Sequence, residues 1–179
     1  MIYLIGGAPR TGKSLLAQKI VATHPMSSLS CDFLYDLTQV KNINNFAEAD
    51  LITKGTLFYP TLQELLINVS RRSENCVIDG EVILPQFIPE LATKYNIKSC
   101  FIGLSATNLD TILTHGGYFN WPKWKLENGL ATEINDLAEQ TINKSLIIKT
   151  EAQKYNLPYF DLTENYNLGI KLAIKSLLS

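Results

Sequence analysis

Arginine is scarce in this sequence, and features typical of nucleic-acid-binding and membrane proteins are missing. Only Arg10, Arg71 and Arg72 occur among 179 residues, and the net charge is −1. The chain therefore lacks the basic field that attracts nucleic acid. No apolar run reaches the length of a membrane span. We accordingly expect a soluble globular protein with neither nucleic acid nor a membrane as its partner.

Cysteine is also rare and forms no metal-binding or redox pattern. Cys31, Cys76 and Cys100 each lie in or beside an apolar run, with no C-x-x-C pair and no cluster with histidine. We therefore expect buried, reduced thiols, which suit a cytoplasmic protein. The apolar run at the amino terminus is too short for a signal peptide, so we expect no targeting segment.

The most informative pattern that is present lies near the amino terminus, where residues 7–14 read G-A-P-R-T-G-K-S. They match G-x-x-x-x-G-K-[ST], a loop whose backbone N–H groups surround phosphates. Residues 1–5 before it predict a strand and residues 15–22 after it predict a helix, which is the context that the loop requires. The pattern predicts a nucleoside triphosphate site formed by Gly7, Ala8, Pro9, Arg10, Thr11, Gly12, Lys13 and Ser14.

Side chains of this loop and of a later strand have predicted roles toward ATP and Mg²⁺. We expect Lys13 to contact the β- and γ-phosphates and the Ser14 hydroxyl to bind Mg²⁺. Asp79 ends an apolar run, and its carboxylate is expected to hold Mg²⁺ directly or through water. The alternative for Asp79 is a turn residue before Gly80. Glu81 is a weaker candidate for the same region.

Asp32 follows the second predicted strand and is the candidate that would meet an acceptor molecule. Its carboxylate could accept the proton of an acceptor hydroxyl or hold that hydroxyl in line with the γ-phosphate. The alternative is an N-cap for a helix over residues 33–37. Arg71 and Arg72 have two interpretations as well, as charges at a helix end or as contacts of an anionic acceptor.

Short apolar runs alternate with amphipathic segments along the chain, which predicts parallel βαβ units. Strands are expected at residues 2–5, 27–31, 76–78, 99–104 and 159–160. Among the predicted helices are one that begins at a capping box, Thr61-x-x-Glu64, and others over residues 85–95, 129–156 and 168–178. The predicted fold is α/β in three layers, with a parallel sheet of about five strands and helices on both faces. Ligands then bind at the carboxyl ends of the strands.

Residues 115–130 are predicted to form a lid within one domain that spans residues 1–179. They combine hinge-like glycines, aromatic residues and two lysines. Such a segment can close over a site and exclude water. The alternative is a surface loop held in place by its own aromatic side chains.

In the order of these features the chain resembles the small P-loop kinases, which include nucleoside and nucleotide kinases and the shikimate and gluconate kinases. The specific motif is residues 7–14, accompanied by the strand end Val-Ile-Asp-Gly, by Asp32 and by the glycine-hinged lid. The resemblance implies the three-layer P-loop NTPase fold and transfer of the γ-phosphoryl group of ATP–Mg to a small acceptor, with Lys13 and Asp32 in catalytic roles. It also implies that residues 161–163 lie near the adenine.

The chain departs from these kinases in its lid, which usually presents arginines to the phosphates and here has none at residues 116–130. Lys123 and Lys125 could replace them as ATP contacts, Arg10 could supply the guanidinium from the loop, or catalysis could be slow or absent. The scarcity of arginine also disfavours a phosphorylated acceptor and favours a neutral molecule with a hydroxyl group. The alternative functions are a nucleotide-hydrolysing switch and a catalytically weak ATP-binding module.

Overall fold

The computed structural model describes residues 1–37, 49–72, 74–106 and 131–179, with the backbone alone at residues 35–37 and 131–135. Five parallel strands form one sheet in the order β2–β3–β1–β4–β5. The strands are β1 Ile2–Gly7, β2 Ser27–Ser30, β3 Cys76–Gly80, β4 Ile97–Gly103 and β5 Tyr159–Asp161. The bounds of all five lie within two residues of those expected from the sequence.

Six α-helices in the described ranges connect and cover these strands. They are α1 Lys13–Val21, α2 Cys31–Leu37, α3 Leu51–Arg71, α4 Ile88–Lys94, α5 Ala131–Lys154 and α6 Tyr166–Leu178, with a turn of 3₁₀ helix at Pro85–Phe87 before α4. None of the helices in these ranges is both long and apolar enough to cross a membrane.

Alternation along β1 divides the apolar core into two layers, because successive strand side chains point to opposite faces of the sheet. Leu4 packs in the layer that contains Phe58 of α3. Ile5 packs in the other layer, with Leu16 of α1 and Ile170 of α6. All five of these side chains are at most 2% exposed. Helices therefore cover both faces of the sheet, and the predicted three-layer α/β fold is confirmed.

The register of the sheet brings the functional candidates to one edge. Ile5 lies opposite Asp79, and Gly6 lies opposite Gly80. On the other side of β3, Ser30 lies opposite Asp79. Since all these strands are parallel, the segments after β1, β2 and β3 leave the sheet at the same carboxyl edge.

The predicted start of the third helix at Thr61 is wrong. The helix begins at Leu51, where the Asp50 carboxylate accepts hydrogen bonds from the backbone N–H groups of Ile52 (2.8 Å) and Thr53 (3.0 Å). It then continues through Pro60, although a proline inside a helix costs about 3 kcal/mol. The helix persists because one face buries Leu51, Phe58, Leu62 and Leu66 in the core, each at most 2% exposed. Tertiary packing thus outweighs the helix-start signal at Thr61.

The thiols are placed as expected from the sequence. Cys31, Cys76 and Cys100 are buried, and none forms a disulfide. Burial raises the pKa of Cys100, and it raises that of Cys31 together with the nearby charges of Asp32 and Asp79. These cysteines therefore behave as small apolar residues of the core.

Candidate functional site

The loop after β1 has a backbone conformation that requires glycine at its end. Gly12 has φ of +94° and caps the amino terminus of α1. A Cβ at Gly12 would collide with the hydroxyl oxygen of Tyr166, so α6 packs against the loop at this point. Arg10 has φ of +61°, a left-handed conformation that is uncommon for a residue with a side chain and is concentrated at functional sites. The loop thus presents the positive end of the α1 dipole to the carboxyl edge of the sheet.

Lys13 is folded into the loop and is only 6% exposed. Its Nζ donates a hydrogen bond to the carbonyl oxygen of Ala8 at 2.9 Å. The hydroxyl of Thr11 donates to the same carbonyl oxygen at 2.8 Å. A buried ammonium group needs such acceptors and nearby negative charge, and the carboxylates of Asp32 and Asp79 supply that charge. The Lys13 side chain is therefore held against the loop by the Ala8 carbonyl oxygen.

Ser14 and Asp79 meet as the sequence predicts. The Ser14 hydroxyl donates to Oδ2 of Asp79 at 2.9 Å. Asp79 is 2% exposed and lies within β3, so its interpretation as a turn residue is wrong. Burial raises the pKa of Asp79, while the hydrogen bond from Ser14 and the charge of Lys13 act to lower it. A hydroxyl and a carboxylate side by side are the oxygen ligands that Mg²⁺ takes together with the phosphates of a nucleotide.

Asp32 lies in the first turn of α2 rather than at its N-cap, because the helix begins at Cys31. The N-cap interpretation of Asp32 is therefore wrong, and the Ser30 hydroxyl accepts a hydrogen bond from its backbone N–H at 3.3 Å. The Asp32 residue is exposed to solvent. Surrounding protein atoms still desolvate the carboxylate and raise its pKa; the charges of Lys13 and Arg10 lower it, and that of Glu81 raises it.

Arg10 lies at the carboxyl edge of the sheet, whereas Arg71 and Arg72 do not. Desolvation lowers the pKa of Arg10, and the charge of Asp32 acts in the opposite direction, so these two side chains lie within electrostatic reach of each other. Arg71 and Arg72 are exposed at the end of α3, just before β3 begins. Arg71 lines a cleft with Met1 and Asn96 at the amino edge of the sheet. Their interpretation as contacts of an acceptor at the carboxyl edge is therefore wrong.

Three polar residues of α5 join the site without having been expected from the sequence. The Thr141 hydroxyl donates to the carbonyl oxygen of Pro9 in the loop at 3.2 Å. Nζ of Lys144 lies 3.4 Å from Oε2 of Glu81, just beyond β3. The Ser145 hydroxyl accepts from the backbone N–H after β4, that of Leu104, at 3.0 Å. Polar residues at positions i, i+3 and i+4 within an otherwise apolar helix face were the signal that could have revealed them.

The segment expected near the adenine has a fixed conformation at the same edge. Oδ1 of Asp161 accepts hydrogen bonds from the backbone N–H groups of Ser105 (3.2 Å) and Thr163 (3.1 Å). The Thr163 hydroxyl oxygen accepts from the Ser105 N–H at 2.8 Å. These bonds tie the end of β5 to the end of β4, and the adenine contact itself stays a prediction.

The predicted lid, including Lys123 and Lys125, lies outside the described residues. Within the described ranges, no group of three or more histidine, cysteine, aspartate or glutamate side chains could hold a metal ion by itself. A nucleotide-bound Mg²⁺ does not need such a group, because phosphate oxygens and water complete its coordination.

Comparisons with known proteins agree with this geometry at the level of the fold. No protein-family model matches the chain, and no curated protein matches it. A gluconokinase from Sinorhizobium meliloti superposes with a TM-score of 0.62 at 14% identity, over 98% of this chain and 90% of that one. A shikimate kinase from Acinetobacter baumannii, in complex with shikimate, gives 0.55 at 16% identity over 97% and 88%. An uncharacterized protein from Eubacterium ventriosum gives 0.55 at 14% identity over 100% and 99%. The chain thus resembles the P-loop small-molecule kinases and has their fold.

Replacing Asp79 with asparagine is expected to stabilise the fold near neutral pH. An unfolded aspartate ionises around its ordinary pKa of 3.8, whereas burial raises the pKa of folded Asp79. The folded state therefore binds more protons in the window above 3.8, and stability falls as the pH rises through that window. Asp79→Asn removes this loss of stability with rising pH. The free energy of unfolding of the variant should therefore exceed that of the wild type at about pH 7, and the two values should converge below about pH 4.

Asp161→Asn is the matched control, and its stability near neutral pH should change in the opposite direction. Partial burial acts to raise the pKa of Asp161, but hydrogen bonds from Thr163 and Ser105 lower it overall. This carboxylate therefore stabilises the fold above the unfolded pKa, and its replacement should lower stability near neutral pH. Urea unfolding of both variants across this pH range makes the comparison. A less stable Asp79→Asn variant at neutral pH would contradict the account of the buried carboxylate.

Proposed function

We propose that this protein transfers the γ-phosphoryl group of ATP, bound with Mg²⁺, to a hydroxyl group of a small molecule. The observation that carries the proposal is the meeting of the loop cation Lys13, the Ser14–Asp79 pair and Asp32 at one edge of a parallel sheet. The likeness of fold to a gluconokinase and a shikimate kinase supports a small-molecule kinase.

The loop residues are proposed to bind the triphosphate. Backbone N–H groups of residues 7–14, of which Pro9 has none, and the α1 dipole favour a bound anion. When ATP binds, Lys13 would leave the Ala8 carbonyl oxygen and bind the β- and γ-phosphates. The exchange is favourable because a hydrogen bond from a cation to an anion is stronger than one to a neutral carbonyl oxygen. The Ser14 hydroxyl and Asp79 carboxylate, 2.9 Å apart, fit Mg²⁺. The ion, when bound, would neutralise charge on the phosphates.

Asp32 is proposed to position the acceptor hydroxyl and to take its proton. The acceptor oxygen forms a bond to the γ-phosphorus while the bond from that phosphorus to the β–γ bridging oxygen breaks. ADP leaves with the electron pair, and the hydroxyl proton passes to the Asp32 carboxylate. Because the pKa of Asp32 is raised, its carboxylate is a stronger base than an ordinary aspartate.

Arg10 is proposed to supply the positive charge that the arginine-free lid does not. Its guanidinium lies within electrostatic reach of Asp32, where the acceptor and the transferring phosphoryl group would meet. Charge at that place stabilises the transition state more than the bound substrates. Lys123 and Lys125 are proposed as further contacts of the ATP phosphates.

Lys13→Ala is expected to abolish ATP binding and phosphotransfer while leaving the fold intact. Loss of a cation at a transferring phosphoryl group lowers turnover by at least about 100-fold. Calorimetry with ATP and Mg²⁺, followed by ADP release in a mixture of sugars, polyols and nucleosides, measures both effects. Lys19→Ala is the control, since Lys19 is exposed on the same helix. Unchanged affinity and turnover in Lys13→Ala would remove the proposal.

The same assay separates the alternative functions. ADP release with ATP alone would favour a nucleotide-hydrolysing switch. Tight ATP binding without ADP release under either condition would favour a catalytically weak module. Release that depends on the added hydroxyl compounds is the result that the kinase proposal requires.

Asp32→Asn is expected to impair turnover far more than ATP affinity. Loss of a general base lowers turnover by roughly 10²- to 10⁴-fold, whereas the triphosphate contacts of the loop are retained. The wild-type turnover should also fall at acid pH with a midpoint above the ordinary 3.8 of aspartate, because the pKa of Asp32 is raised. Steady-state kinetics against pH test this. Wild-type turnover in the variant would reduce Asp32 to a structural residue.

A further inference from the structure

We propose that the acceptor carries no carboxylate or phosphate group, and that Glu81 excludes anionic acceptors by holding the ammonium group of Lys144. The inference rests on the proposed function and deepens it by naming the chemical class of the acceptor. Neutral hydroxyl compounds such as sugars, polyols and nucleosides belong to that class.

The first argument is the supply of guanidinium groups. A planar guanidinium binds a carboxylate or phosphate through two parallel hydrogen bonds, which an ammonium group cannot do. The whole chain has three arginines, and two of them, Arg71 and Arg72, lie at the amino edge of the sheet. The five residues of β3 separate that edge from the site, a distance of about 13 Å. The segments outside the described residues contribute Lys41, Lys123 and Lys125 but no arginine.

The second argument is that the cations at the site already have partners or roles. Lys13 lies inside the phosphate loop. Arg10 lies within electrostatic reach of Asp32. Nζ of Lys144 is 3.4 Å from Oε2 of Glu81, and the two side chains are only 21% and 17% exposed. Breaking a partly buried pair leaves one charge uncompensated, so Lys144 is not readily released to an incoming anion.

The third argument is the pair of carboxylates, Asp32 and Glu81, beside the place where the acceptor would lie. The charge of Glu81 acts to raise the pKa of Asp32, so the two acids lie within electrostatic reach of each other. An anionic acceptor whose hydroxyl reaches Asp32 would bring another negative charge beside them, and like charges brought together cost free energy. A neutral hydroxyl compound instead donates hydrogen bonds to carboxylate oxygens, which only accept them. Glu81 therefore disfavours anionic acceptors and favours neutral hydroxyl compounds.

The test compares anionic and neutral members of matched pairs. The pairs are gluconate with glucitol and shikimate with its methyl ester, each added to protein saturated with a non-hydrolysable ATP analogue and Mg²⁺. Binding of the analogue is measured first by calorimetry, and its failure would refute the proposed function rather than this inference. With the analogue bound, wild-type protein should bind neither gluconate nor shikimate.

Glu81→Gln releases Lys144 and should create binding of an anionic probe. We expect gluconate or shikimate to bind the variant at least about tenfold tighter than the wild type, the gain of a charge-assisted hydrogen bond. Adding Lys144→Met to Glu81→Gln should remove that gain. Glu90→Gln is the matched control, because Glu90 pairs with Lys94 at 2.6 Å on the exposed helix α4, outside the site. It should behave as the wild type.

Two results would overturn the inference. One is wild-type protein that binds gluconate or shikimate as tightly as the neutral partner of the pair, a measurement that stands even if Glu81→Gln fails to fold. The other is a folded Glu81→Gln variant, with unchanged affinity for the ATP analogue, that gains no binding of either anion.

Discussion

The hydrogen bond from the Ser14 hydroxyl to the Asp79 carboxylate, 2.9 Å long, joins the first helix to the third strand, and the candidate site is arranged around it. It holds a carboxylate that is 2% exposed and whose pKa burial raises, an arrangement that by itself destabilises the fold. Two apolar layers on either side of the sheet offset that cost. The same oxygen pair fits Mg²⁺ beside a loop that fits phosphates, so a local loss of stability serves the proposed chemistry.

A second constraint is the helix α5, which contacts three strand ends at the carboxyl edge. Thr141 bonds the loop after β1, Lys144 pairs with Glu81 after β3, and Ser145 bonds the backbone after β4. One helix thus fixes the phosphate loop and the acid that we propose selects the acceptor. On the proposed function, phosphate binding and acceptor choice would therefore depend on one packed arrangement rather than on separate loops.

What the sequence could predict was local. The strand and helix on either side of residues 7–14, the apolar runs of the strands and an acid at the end of β3 depend on neighbours along the chain, and the structure agrees with each of them. The triphosphate site at residues 7–14 stays a prediction. The helix start predicted at Thr61 was wrong because core packing keeps α3 helical through Pro60. Asp32 was open to an N-cap interpretation because Ser30 and Asp32 are both residue types favoured at an N-cap, and α2 begins at Cys31, two residues earlier than expected.

The contacts of α5 could not be predicted, because they join distant parts of the chain. Thr141 and Pro9 are 132 positions apart, and Lys144 and Glu81 are 63 positions apart. No periodicity specifies such a pair; only the completed sheet brings its members together. The lid at residues 115–130 and a single domain over residues 1–179 stay predictions.

The most direct test of the central claim, that residues 7–14 surround a triphosphate, is a titration followed by the chemical shifts of backbone amides. A non-hydrolysable ATP analogue is added with Mg²⁺ to uniformly ¹⁵N-labelled protein. The account predicts the largest shifts at the N–H groups of residues 7–14, apart from Pro9, which has none, and at Asp79. Shifts confined to the cleft of Arg71 and Asn96 at the amino edge, or no shifts at all, would contradict it.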